Sequence, residues 1–394
     1  MTTAAGLTAA CERLAAGTGP VAVDAERASG YRYGQSAYLV QLRRAGAGTI
    51  LIDPLGCPDL SELDRALADT EWVIHAASQD LPCLAELGAR PRTLFDTELA
   101  GRLLNYPRVG LASILERVLG MSLEKGHGSA DWSTRPLPHD WLVYAALDVE
   151  LLVELRDGLY AALVAADRLN WATQEFAALV AAPPAAPRTD PWRRTSGIHK
   201  IRNARALATV RSLWFTRDEI ARQRDLAPGR VLPDSAIIAA ALADPASAEE
   251  LRALPVFSGR GNRRLLERWW HAIAEARDLP AADLPPTTPV NDAETPPPSN
   301  RWANRDPEAA ARLVAARAAT TGLAEHLAIP TENLVAPDAV RRLAWRPPEP
   351  LTADAVAAVL RDRAARPWQI DLTAAPLAAA LDAAQHRQQQ GQQS

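Results

Sequence analysis

Asp24 and Glu26 stand two residues apart at the end of a short apolar run, VAVDAE. In an extended strand, side chains at i and i+2 project to one face, so these two carboxylates lie side by side. Adjacent anions repel, and a hard divalent cation with oxygen ligands is the usual way to hold them together. Asp80 follows a second apolar run, in HAASQDLPCLAELG, at the head of a helical pattern. Tyr144 and Asp148, in YAALD, are four apart within another helical pattern and share one face. A phenol and a carboxylate so placed can aim at one water, Tyr144 orienting it and Asp148 binding the cation that acidifies it.

Each feature also has an ordinary structural reading. An acidic pair at a strand end can simply be solvated, an Asp ahead of a helix can be its N-cap, and an amphipathic helix can carry a half-buried Tyr beside a solvated Asp. Asp53 and Asp96 close apolar runs as well, and periodicity does not separate them from the others. His75 reads as a core or surface histidine and is left out of the catalytic set.

The elements that must position these residues are legible in the first part of the chain. Short apolar runs at 21–24, 36–43, 49–54, 72–75 and 93–96 predict strands. Helical periodicity lies between and after them, including one long stretch over 140–166. This is an α/β pattern. Proline-rich breaks at 181–191 and 284–300 interrupt the chain, and the segments beyond them show only helical patterns. The organisation predicted is a first domain over 1–180, a second over 195–282 and a third over 301–386, with a polar tail, HRQQQGQQS, that should be unstructured.

A chain of 394 residues is longer than one hydrophobic core usually serves. No apolar run approaches the roughly 20 residues needed to span a bilayer, and the N-terminus lacks a basic start followed by an apolar stretch, so a cytoplasmic protein with no membrane partner is expected. Three widely spaced cysteines (Cys11, Cys57, Cys83) suit small buried side chains better than a disulfide framework or a zinc site. The net charge of −4 conceals an asymmetry. Residues 1–181 carry 15 basic and 23 acidic side chains, whereas 182–280 carry 17 and 11. An acidic part suited to cations is thus followed by a basic part suited to phosphates.

The ordered combination, Asp-x-Glu on an early strand, Asp at the head of a later helix, then Tyr-x-x-x-Asp on a helix near the domain's end, resembles the DEDDy group of 3′–5′ exonucleases. The stretch GLASILERVLGMSLEKGHGSADWSTRPLPHDWLVYAALDVELL (110–152) closely resembles ribonuclease D. WFTRDEIARQRDLAPGRVLPDSAI and PASAEELRALPVFSGRGNRRLLERWW resemble the HRDC domain that follows the exonuclease in ribonuclease D and also occurs in RecQ-type helicases. LAIPTENLVAPDAVRRLAWRPP resembles, more loosely, the C-terminal domain of bacterial ribonuclease D proteins, an HRDC-like fold.

The resemblance implies an RNase H-like α/β exonuclease domain with a mixed sheet, followed by two small all-α domains. It implies hydrolysis at single-stranded RNA 3′ ends in RNA processing such as tRNA 3′ maturation, by two Mg²⁺ ions with Mn²⁺ as a substitute. Asp24, Glu26 and Asp148 would hold one ion, Asp24 and Asp80 the second. Tyr144 would orient the water and Glu26 would meet the terminal 3′-hydroxyl. Lys125 and Arg135 would grip the substrate backbone. Lys200, Arg202, Arg260, Arg263 and Arg264 are the phosphate-binding candidates of the second domain, with Trp269 and Trp270 nearby but spaced as helix core. A DNA substrate and a non-catalytic nucleic-acid-binding scaffold are the alternatives. The sequence names no residue that reads a 2′-hydroxyl, the group that separates RNA from DNA.

Overall fold

The computed structural model describes residues 1–122, 126, 128–288 and 295–392. Its first part is a five-stranded sheet of β1 (Thr18–Arg27), β2 (Ala37–Ala45), β3 (Gly48–Ile52), β4 (Glu71–Ile74) and β5 (Thr93–Asp96), in the order β3-β2-β1-β4-β5. β1 pairs antiparallel with β2 and β2 with β3, while β4 is parallel to both β1 and β5. All five predicted strands therefore form, in the mixed arrangement of an RNase H-like sheet. The central strand β1 is buried on both faces through Val21, Ala22 and Val23, which is why it reads as an apolar run until its acids begin.

Helices α1 (Ala4–Ala15), α2 (Ser61–Ala66), α3 (Leu81–Glu86), α4 (Thr97–Leu103) and α5 (Leu111–Leu119) accompany the strands. After them come α6 (His139–Glu150), α7 (Leu152–Ala165) and α8 (Leu169–Ala181). The long helix predicted over 140–166 is in fact two. Leu151 leaves helical geometry, with φ −113° and ψ 6°, and joins α6 to α7. Nothing in the local composition marks that break, because Leu is a good helix former and packing imposes the turn.

Two further cores are all-helical. One is built from residues 192–273 around Trp192, Phe257 and Trp269, with α9 (Ala204–Arg224) as its longest helix. The other runs from Trp302 to Leu381. The third core is not independent of the first: Ala324, Ile329, Leu334 and Trp368 are buried within the core of the sheet domain. Trp368 stacks on Trp171 with ring centroids 4.8 Å apart, and its indole N–H donates to Glu175 at 3.0 Å. The last helix (Pro367–Gln392) continues into the glutamine-rich tail expected to be unstructured; Gln and Ala are themselves good helix formers. Among the described residues no helix is long and apolar enough to cross a membrane. The three cysteines are free and buried.

Candidate active site

Alternation along β1 places Asp24 and Glu26 on one sheet face, the face that carries Leu39 and Gln41 of β2. α6 lies over that face. Its buried Ala145 and Val149 fix which side looks inward, and Trp132, fully buried beneath it, packs against Trp141 at 5.4 Å and Tyr144 at 6.4 Å between ring centroids. Asp148 is thereby delivered to the two strand acids. One carboxylate oxygen from each of Asp24, Glu26 and Asp148 falls within 4.8 Å of the others. Such an all-oxygen trio suits a hard divalent cation.

Asp80 occupies the N-cap position of α3, but its side chain makes no capping bond. It turns instead to Arg27, whose Nη1 donates to Asp80 Oδ1 at 2.6 Å and also to the carbonyl of Gln79. Asp24 and Asp80 come within hydrogen-bonding reach of each other. All four acids titrate above the usual carboxylate range. Burial, then Asp24, Asp148 and Asp80, pushes Glu26 to about 9. Burial and Asp24 push Asp148 to about 7, against the hydrogen bond it receives from Tyr144. Burial also raises Asp24 and Asp80, with Arg27 opposing both. Four acids crowded so that none ionises easily form a site that favours added positive charge. Tyr144 is raised above the ordinary phenol range by burial and by Asp148, so it stays a hydrogen-bond donor.

The rival carboxylates have other occupations. Asp96 accepts from the backbone N–H groups of Glu98 and Leu99, capping α4, and from those of Ala76 and Ala77. Asp53 is gripped by a two-pronged fork from Arg135, Nε to Oδ2 and Nη2 to Oδ1, both 2.7 Å. Burial acts to raise the Asp53 carboxyl, yet the fork outweighs it and holds the group below its usual value. Arg135, expected to grip the substrate backbone, is engaged within the fold. A guanidinium has five N–H donors, and here they reach Asp53 twice and the carbonyls of Tyr38, Trp132 and Thr134. Arg135 ties the segment under α6 to β2.

His75 is half-buried, its Nδ1 2.9 Å from Thr97 Oγ1, and desolvation lowers it to about 4. Lys125 lies outside the described residues, as does the side chain of Arg260. Lys200, Arg202, Arg263 and Arg264 are exposed on the second helical unit, and Trp269 is its core. That unit grips the loop following Glu26: the hydroxyl of Tyr33 donates to Asp218 at 3.1 Å, its backbone N–H to Asp225 at 3.2 Å, and Arg230 Nε to the Gly30 carbonyl at 2.7 Å.

Sequence reasoning missed three residues. Gln41, fully buried, donates from Nε2 to Asp24 Oδ2 at 2.7 Å. Arg27 holds Asp80. Gly126 lies against the Tyr144 ring, where a Cβ would sit 2.6 Å from Cε2 and closer still to Cδ2. The pairing of Gln41 with Asp24 across β1 and β2 could have been read from strand register, had the register been known.

A family model for 3′–5′ exonucleases matches residues 1–163, an HRDC domain model matches 206–273, and a model of a 3′ to 5′ exonuclease C-terminal domain matches 295–381. Ribonuclease D of Acidiphilium cryptum is 33% identical over 305 residues, covering 74% of this chain and 75% of that one. The chain belongs to the ribonuclease D family. Its fold matches that of a protein from Bifidobacterium adolescentis with a TM-score of 0.88 and 37% identity, over 97% of this chain and 96% of that one. Ribonuclease D of Escherichia coli, described as an exoribonuclease involved in structured RNA processing, matches with a TM-score of 0.68 and 28% identity over 92% and 98%. As a member of the ribonuclease D family the chain is a nuclease, a hydrolase of 3′–5′ exonuclease type. The exonuclease family depends on divalent metal, and the carboxylate trio has the donors to hold such an ion.

Proposed function

We propose that the chain is a 3′–5′ exoribonuclease that shortens RNA from its 3′ end, with Asp24, Glu26, Asp80 and Asp148 as metal ligands and Tyr144 as the residue that orients the attacking water. The observation that carries this reading is the convergence of three carboxylate oxygens within 4.8 Å, beside a tyrosine that donates to one of them, in a chain of the ribonuclease D family. Two Mg²⁺ ions bound there, or Mn²⁺ in their place, would supply the charge that acidifies a water and neutralises the scissile phosphate.

The protein's own groups do the rest. Asp24, Glu26 and Asp148 would hold one cation, and Asp24 with Asp80 would hold the second. Gln41 keeps Asp24 aimed from below, and a hydrogen-bonded ligand carboxylate is the usual support of a metal site. Tyr144 keeps its proton and holds water by donating or accepting at its hydroxyl. Glu26 reaches the terminal 3′-hydroxyl, which makes a free end a requirement. Lys200, Arg202, Arg263 and Arg264 attract the phosphates of the remaining strand. In this reading an exonuclease unit over 1–180 is served by helical units over 195–282 and 301–386.

The test is degradation of matched 5′-labelled RNA and DNA oligonucleotides, with free or blocked 3′ ends, in Mg²⁺, Mn²⁺ or EDTA. One-nucleotide laddering from free RNA 3′ ends, abolished by EDTA and by 3′ blocking, is expected. Hydrolysis in excess chelator, or equal turnover of DNA, overturns the metal or the RNA part respectively.

A further inference from the structure

The acids of the site are not equivalent in their surroundings. Asp24, Glu26 and Asp148 converge with one oxygen each. Asp80 is paired with a cation the protein already owns: Arg27 Nη1 lies 2.6 Å from Asp80 Oδ1, with the Asp80 side chain only 5% exposed and that of Arg27 21%. Simple alternation would send Arg27 to the face opposite Glu26. The register between β1 and β2 slips at this point, because Glu26 pairs with Leu39 and Arg27 with Ala37, leaving Tyr38 as the extra residue. Such a bulge re-aims the side chains beside it. The guanidinium is held on the Asp80 turn by the Gln79 carbonyl as well. Asp80, for its part, caps no helix, and its side chain is shared between Arg27 and Asp24.

We propose that Arg27 is a built-in competitor for the second cation: it neutralises Asp80 in the metal-free enzyme and must be released from it before a second divalent ion binds, so that the two ions load in order, the first at Asp24, Glu26 and Asp148. This rests on the assignment of Asp80 as a ligand made above. A guanidinium and a divalent ion repel each other, and both seek the lone pairs of one carboxylate. Occupancy of the second position is therefore weak until Arg27 gains another anion to hold, and the phosphate of a bound nucleic acid is an anion of the right chemistry. Arg27 acts on the ion through Asp80 and is a positioning residue.

Calorimetric titration of Mn²⁺ into the full chain without nucleic acid tests this directly. The wild type should show one tight event and one weak event. Arg27→Gln removes the competing charge and should tighten the weak event on the order of 10-fold, with the tight event unchanged. Arg27→Lys keeps a cation and should leave the weak event within about 3-fold of wild type, which a purely structural role would not produce. Adding Asp80→Asn to Arg27→Gln should abolish the tightened event. If Arg27→Gln leaves the second event unaltered or weaker while the first stays intact, the competition is disproved and the metal site stands. If the wild type shows no first event, the carboxylate assignment itself falls, and the proposal with it.

Discussion

The amide of Gln41 donates to Oδ2 of Asp24 at 2.7 Å, from a position on β2 directly across from it in the sheet and with no exposure to solvent. A donor fixed there favours the ionised aspartate and leaves Oδ1 for a cation. The other amide atom, Oε1, is buried without a partner, so the side chain is poorly rewarded in stability for being there. Gln41→Met should accordingly change the melting temperature by only a few degrees while weakening divalent-metal affinity by about 10-fold or more, the usual effect of removing such a support. Unchanged metal affinity in a folded Gln41→Met protein would dismiss the role.

Tyr144 separates water positioning from metal holding. Tyr144→Phe should keep the fold and the metals and lower the rate by about 10²-fold. Asp24→Asn should lose metal and activity together. Gly126→Ala forces a methyl into the Tyr144 ring and should reproduce much of the Tyr144→Phe defect, whereas at Gly128 the added Cβ meets Tyr144 Oη at an ordinary 3.6 Å and should be tolerated. Asp53→Asn and Asp96→Asn should lower the melting temperature, since those carboxylates hold Arg135 and the start of α4, yet leave the rate per folded molecule nearly intact. Controls as inactive as Asp24→Asn, alongside a fully active Tyr144→Phe, would show the site to be misassigned.

The pH dependence has a definite sign. Glu26 titrates at about 9 in the fold against 4.5 ordinarily, so over that window the unfolded chain gives up the proton more readily than the folded one. Its contribution therefore destabilises the metal-free protein as pH rises from about 4.5 towards 9. Divalent ions need the ionised form and reverse the preference, so binding should strengthen with pH and release protons. At about 100 Kd of Mg²⁺ the gain is about 2.7 kcal/mol, or roughly 5–10 °C. Thermal melts at pH 6 and 8.5 with and without metal, for wild type and Glu26→Gln, decide the matter. A metal-induced shift no larger at 8.5 than at 6 in the wild type would contradict it.

Exposed cations on the second helical unit should supply affinity rather than chemistry. Lys200→Gln and Arg202→Gln should weaken RNA binding with little effect on the rate at saturation, and each should flatten the slope of log K against log salt by about 0.7 if it meets a single-stranded phosphate. Point substitutions are the right instrument. Cutting the chain after the first domain would strip Trp368, Ile329 and Leu334 from its core. Unaltered salt slopes in both variants would place the phosphate path elsewhere.

Local spacing along the chain settled only part of the site. Alternation put Asp24 and Glu26 on one face, helical spacing put Tyr144 one turn before Asp148, and the same spacing placed Trp269 in a core. The strands are legible because burial on one or both faces leaves a run or an alternation of apolar residues. Tertiary structure alone decided which carboxylates meet. Asp24, Glu26, Asp80 and Asp148 come from two elements and a turn, and Asp53 and Asp96 end strands just as plausibly until packing hands one to Arg135 and the other to the N-terminus of α4. The same holds for Arg135, which meets Asp53 and Tyr38 only through the fold, and for Gln41 and Arg27, ordinary residues until β-sheet register and a bulge set them against Asp24 and Asp80. The break at Leu151 and the burial of Trp368 in the first core belong with them. Spacing along a chain fixes which faces side chains share, but the distance between elements, and the competition for each donor and acceptor, exist only once those elements are packed.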